Sequence, residues 1–233
     1  MLTGEGSTMN TKQSTYLRLL LAALLGLGLI LSAPPVAWAA TITVTTTADE
    51  LNTDGDCSLR EAVAAANGDV ATDACPAGNG ADSITLPAGT YDFTTAAELL
   101  ITEDLTIVGA GRGATIIDAN SLSRAVYVHL SQVTISHLTI REGNAGYSAG
   151  SNVYVGASSY LTLVSVRLTA VPVGAERALW VRMGSGATVI DSRIDGNANG
   201  GVYVQSTGSI LIRESSITNN TSDTSGGGLE NNG

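Results

Sequence analysis

Lysine is nearly missing from this 233-residue chain. Lys12 is the only one, and beyond residue 39 the positive charge rests on nine arginines set against twenty acids. A chain of net charge −10 with no basic run is a poor partner for nucleic acid or for an anionic membrane surface. Aromatic residues make up only 4% of the chain and phenylalanine occurs once, whereas glycine occurs 27 times. That balance excludes a large aromatic core and points to short strands joined by turns. Cysteine occurs twice, at Cys57 and Cys75, with no histidine nearby, which excludes a zinc site.

Long apolar runs are also scarce. The one at 19–31 follows Lys12 and Arg18 and leads to Ala37-Trp38-Ala39. A charged segment, a short apolar run and an A-x-A site form a secretory signal peptide, and the run is too short to span a bilayer comfortably. The expected organisation is therefore a signal peptide over 1–39, cleaved after Ala39, with Met9 opening a better start than Met1. Export implies an extracellular or cell-surface location and no stable membrane insertion of the mature chain. In that setting Cys57 and Cys75 are expected to form one disulfide, whose loop would contribute about 3 kcal/mol if unstrained.

What the chain does have is repetition. Val126-Tyr127-Val128, Val153-Tyr154-Val155, Leu179-Trp180-Val181 and Val202-Tyr203-Val204 lie 27, 26 and 23 residues apart. Each is followed by a Gly- or Ser-rich corner and a second apolar segment, at 133–140, 161–168, 187–194 and 210–217. Aligning those segments gives one apolar column of Ile135, Leu163, Val189 and Ile212 and another of Ile140, Leu168, Ile194 and Ile217. Apolar columns at such a period are what a solenoid interior requires, because each rung buries its inner face on its neighbours. The predicted fold is all-β, a right-handed parallel β-helix. A leucine-rich-repeat solenoid is the structural alternative, but Ser192 and Ser215 stand where it needs leucine and the return segments are not helical.

One helix is expected, over 58–67. Ser58 with Glu61 three residues on is a capping box, alanines follow, and Asn67-Gly68 ends it. The run Cys57-Ser58-Leu59-Arg60-Glu61-Ala62 that opens it resembles the N-terminal signature of CSLREA-domain proteins. Those are exported bacterial proteins in which the motif precedes a right-handed parallel β-helix. The resemblance covers about 41–95 and implies a cap region over 40–95. The rungs over 96–233 resemble, more loosely, the β-helices of pectate lyases and polymorphic outer-membrane proteins. The helix, pinned by the cysteine pair, is expected to cover the open end of the stack. Gly226-Gly227-Gly228-Leu229 begins a fifth block, and the expectation is that the chain is the N-terminal part of a longer protein.

Strand parity assigns the surface. With Val126 and Val128 facing in, Tyr127, Tyr154, Trp180 and Tyr203 face out and stack at about 4.8 Å per rung. Such a column is a candidate platform for sugar rings, although ring stacking alone can reinforce a ladder. A second outward column, His137, Ser165, Asp191 and Glu214, runs beside Thr139, Arg167, Arg193 and Ser216. Polysaccharide lyases of this fold hold calcium with carboxylates on such a face, so Asp191 and Glu214 are weak metal candidates, and calcium is the one cofactor in view. A solvated pairing with the adjacent arginines explains the same residues. Glu50, Asn52, Asp54, Gly55 and Glu61 match the spacing of an EF-hand loop, but a strand rather than a helix leads into it. The functional expectation is an exported adhesion or binding scaffold for extracellular polysaccharide or a neighbouring cell surface, with no catalytic residues assigned. The alternative is a calcium-dependent polysaccharide lyase.

Overall fold

The computed structural model describes residues 39–146, 148–223 and 226–233; the signal-peptide reading falls on residues outside these. None of the described helices is long and apolar enough to cross a membrane. The described chain winds as a stack of parallel strands, about six turns high. One sheet collects the repeated tripeptides, in the order Leu99–Ile101, Val126–Val128, Val153–Val155, Leu179–Val181, Val202–Val204 and Leu229–Asn231. Every pairing is parallel and in register, so Leu100, Tyr127, Tyr154, Trp180, Tyr203 and Glu230 form one column. The second segments build the larger, eleven-stranded sheet.

The rungs turn at three recurring corners, each built on a residue with positive φ. Leu130, Ser158, Gly184 and Thr207 form the first column of corners; His137, Ser165, Asp191 and Glu214 the second; Glu142, Ala170, Gly196 and Asn219 the third. Their φ values lie between 43° and 70°. A left-handed residue interrupts the two-residue alternation and turns the strand, and that is how the second segment serves two arms of the rung. Inward residues are odd-numbered before His137 (Val133, Ile135) and even-numbered after it (Leu138, Ile140), and all four are buried. The column His137, Ser165, Asp191 and Glu214 is therefore a corner rather than the middle of a flat strand.

Ser192 and Ser215 sit just inside that corner. Ser192 Oγ accepts from Val166 N–H at 3.0 Å, and Ser215 Oγ accepts from Ser192 N–H at 3.0 Å. They supply acceptors to amides that would otherwise be unpaired where the strand breaks. After the third corner, Asn197 is fully buried and donates to Asn220 Oδ1 at 2.8 Å, while its own Oδ1 accepts from Val171 N–H. This is an asparagine ladder that satisfies the turn from inside.

The helix spans Leu59–Gly68, with Ser58 as N-cap and both halves of the capping box present. It runs one residue further than expected, because Asp69 adopts the left-handed cap and donates its N–H to Ala65 O. Asn67 fastens the helix rather than ending it: its Nδ2 donates to Leu100 O and its Oδ1 accepts from Thr102 N–H. Leu59, Ala62, Val63, Ala65 and Ala66 pack into the same core as Ile42, Ile84 and Ile101. Cys57 and Cys75 are bonded, as expected. The helix thus covers one end of the stack, where strand edges and apolar side chains would otherwise be bare.

Candidate functional site

Parity places the four aromatic residues as expected. Their flanking residues Val126, Val128, Val153, Val155, Leu179, Val181, Val202 and Val204 are fully buried, while the rings are half-buried on the outer face. The rings do not form one flat column. Tyr127 and Tyr154 lie 5.0 Å apart at 45°, and Trp180 and Tyr203 lie 4.2 Å apart at 51°, so the stack is two tilted pairs. Gly156 permits the first pair, since a Cβ there would lie 2.5 Å from the Tyr127 ring.

The corner loop supplies an arginine to this face. Arg124 lies 4.9 Å over Tyr154 and 5.4 Å over Tyr127, donates to Ala149 O and Gly150 O, and pairs with Glu98 at 2.6 Å. Tyr127 Oη is 3.1 Å from His129 Nδ1, and Tyr203 Oη accepts from Asn232 Nδ2 at 3.1 Å. Burial pushes the Tyr154 hydroxyl above its ordinary value, which keeps it a neutral donor and acceptor. Trp180 Nε1 is buried without a hydrogen-bond partner. The face thus offers ring faces and three phenol groups, with the Arg124–Glu98 ion pair packed beneath two of the rings.

The second column behaves differently from its expected charge pairing. Arg167 and Arg193 both converge on Asp195, at 2.8 and 3.0 Å, because all three share the arm beyond the corner. Asp191 instead accepts from Ser165 Oγ and meets Arg112 at 3.6 Å. Asp191 and Glu214 occupy equivalent corners of successive rungs, as expected from the repeat.

The acidic loop is also rearranged. Glu61 is fully buried and spends both carboxylate oxygens on backbone amides, of Asn52 and Ser58, so the EF-hand set is not assembled. Glu50, Asp54 and Asp56 come together instead, with one oxygen from each within 4.8 Å of the others.

Sequence reasoning missed Tyr160. It is 58% exposed and stands on the outer face of the larger sheet, beside a ladder of Thr106, Thr134, Thr162 and Thr188 in register. Depressions of about 240 and 310 Å³ flank its ring. A Cβ on Gly186 would lie 2.8 Å from Tyr160, so the glycine makes room for the ring. The signal was available: Tyr160 and Thr162 share the parity of Gln132 and Thr134, outward in both rungs.

In-register parallel strands around one apolar interior define a parallel β-solenoid. Residues 106–233 match the family described as the right-handed β-helix region. This is more than half of the chain, and the chain belongs to that family. The match begins after the Cys57–Ala62 run, which it leaves outside. None of the curated proteins and none of the solved structures matches the chain.

Proposed function

We propose that this protein is an exported β-helix scaffold that binds extracellular polysaccharide, or the glycans of a neighbouring cell surface, through the face carrying Tyr127, Tyr154, Trp180 and Tyr203. The observation that carries the reading is the register. Four consecutive rungs each present an aromatic side chain at one point of one outer face, while the fold itself needs only the buried residues either side. Rings left half-exposed provide apolar faces for sugar C–H groups, and Tyr and Trp carry a polar handle beside them. The Cys57–Cys75 bridge supports export, since such bridges persist in oxidising compartments.

Binding to a glycan array, with Tyr154→Ala plus Trp180→Ala as the principal variant, tests this. Loss of binding supports the proposal; binding unchanged by the pair removes it. Tyr160→Ala belongs in the same experiment, because loss confined to that variant moves the binding face to the larger sheet. The lyase alternative makes a separate demand: cleavage abolished by EDTA and an unsaturated product absorbing in the near ultraviolet.

A further inference from the structure

Four acidic residues are buried among the described residues: Glu61, Asp82, Asp118 and Asp195. Asp118 pairs with Arg141, and Asp195 with Arg167 and Arg193. Glu61 lies in the first turn of the helix, where the backbone dipole favours an anion, and accepts from Asn52 and Ser58 N–H. Asp82 has neither kind of support. It is 2% exposed, and among the described residues no arginine or histidine pairs with it. Its Oδ1 accepts from Ala40 N–H at 2.8 Å, and Asn79 N–H donates to its two oxygens at 2.9 and 3.1 Å. A carboxylate withdrawn from water with no positive charge beside it is costly.

The surroundings are built to hold this carboxylate. A Cβ on Gly78 would lie 2.3 Å from Asp82 Oδ2 and 2.9 Å from Ala65 O and Ala66 Cα, so glycine lets the chain close over the side chain against the helix. Gly78 N–H donates to Ala65 O and completes that contact. Asp82 opens the strand Asp82–Leu86, which pairs in parallel with Thr41–Thr43, Thr41 opposite Ser83. Ser83 N–H donates to Ala40 O at 2.9 Å. Strand register therefore fixes the Ala40 nitrogen at the Asp82 carboxylate.

That nitrogen is also the one a signal peptidase would release. Ala37-Trp38-Ala39 sets the cleavage point between Ala39 and Ala40. Water adds across the Ala39–Ala40 peptide bond, Ala39 leaves with the new carboxylate, and Ala40 keeps a primary amine. With an ordinary pKa of about 8, the amine takes up a proton at neutral pH. Lys12 is the only lysine of the chain, so this α-ammonium is the one primary ammonium left after cleavage.

We propose that Asp82 is a built receptor for the α-ammonium that processing creates at Ala40. The inference rests on the export reading, with cleavage after Ala39. On the uncleaved chain an amide donates one hydrogen bond to a buried, unneutralised carboxylate. On the cleaved chain an ammonium donates a charge-assisted bond and supplies the missing positive charge. The first strand, the turn at Gly78 and the helix then meet at one ion pair, so removal of the leader tightens the helix-covered end of the stack.

The test compares the mature chain beginning at Ala40 with the same chain acetylated at its α-amine. With no lysine present, an acetylating ester modifies that amine alone. The acetyl group stands in for the Ala39 carbonyl and leaves an N–H for Asp82, so the charge is what is removed. Acetylation is expected to lower Tm by roughly 5–10 °C. The free amine of the folded chain is expected to react at least tenfold more slowly than that of a peptide of residues 40–47. Asp82→Asn lowers Tm of the free chain by a similar amount and leaves the acetylated chain nearly unchanged, since Asn keeps an Oδ1 for both amides. Should that variant fail to fold, the first two measurements still decide. Equal Tm for the free and acetylated chains overturns the proposal and leaves the export reading standing, as does an amine that reacts as fast as the peptide's. A mass of the exported protein that begins at another residue removes the cleavage reading, and the proposal with it.

Discussion

At the helix-covered end of the stack, Ile42 and Ile84 have no exposed surface, because Leu59, Ala62 and Ala65 close over them. In the rung of Ser209–Arg213 and Ser216–Thr218, Ile210, Ile212 and Ile217 occupy the same inner columns and are only partly buried. Ile135, Leu163 and Val189, one column with Ile212, are exposed by 1% or less. Side-chain type and position in the rung are matched across these residues; what differs is whether a neighbour lies on both sides. Burial is therefore a property of adjacent rungs, and within residues 39–233 the same substitution has a different effect where rungs stack on both sides and where they stack on one.

The largest effect expected is a direct measurement of that contrast. Leu163→Ala should cost about 3–5 kcal/mol by urea denaturation, and Ile212→Ala only about 1–2 kcal/mol, since the cost scales with the cavity left in packed surroundings. Equal losses would break the comparison. Next, Cys57→Ser with Cys75→Ser should cost about 3 kcal/mol through loop-closure entropy. Hydrogen exchange should place that loss at Asp82–Leu86 rather than at Ser209–Arg213; uniform loss would mean that the cap and the last rungs are one cooperative unit. Ser58→Ala should cost about 1–2 kcal/mol, because it removes the acceptor for Glu61 N–H and the donor to Glu50 O.

The smallest effect is one of sign. The hydrogen bond from Arg167, with the Arg167 and Arg193 charges, holds the Asp195 carboxyl below its ordinary value despite partial burial. Its contribution is therefore present above the unfolded-state value of about 3.9 and is lost as pH falls through the lower folded value. Lost hydration, then repulsion from Asp54 and Glu61, raises the Glu50 and Asp56 carboxyls, so protonating them relieves both and the cap loop gains as pH falls towards the ordinary carboxylate range. Acid should thus loosen the Asp195 region and steady the cap in metal-free buffer, read as opposite changes in amide exchange. Asp195→Asn should flatten the acid limb only slightly, because the Arg167 and Arg193 side chains are half-exposed and solvent screens their charges.

The inner columns were legible because apolar side chains at matching places leave a direct mark on the sequence. Ile135 and Ile140 even recorded the corner between them, by falling on opposite parities. What carried no mark was the corner residue itself. Leu130, His137, Ala170 and Glu214 share a left-handed backbone and nothing in side-chain chemistry, so the geometry is imposed by the stacked neighbours. The helix was legible from its capping box, but Asp69, not Gly68, proved to be its left-handed cap. At the surface, parity placed the aromatic column, whereas its division into two tilted pairs depends on Gly156 and Arg124, which only the fold brings to the rings. The acidic cluster was obscured for a similar reason: Glu61 looked like a ligand by spacing, but the cap had already claimed it.

Seven residues separate the first and second corners in every one of the four rungs, and five separate the second and third. From the third corner to the next outward residue of the first column the count is twelve, ten, seven and eleven, ending at Tyr154, Trp180, Tyr203 and Glu230. Two sides of the coil therefore act as a fixed ruler, while one edge absorbs most of the variation in repeat length. Chain added at that edge leaves the phase of every strand undisturbed, so the molecule can change what it displays there without renegotiating how it is built.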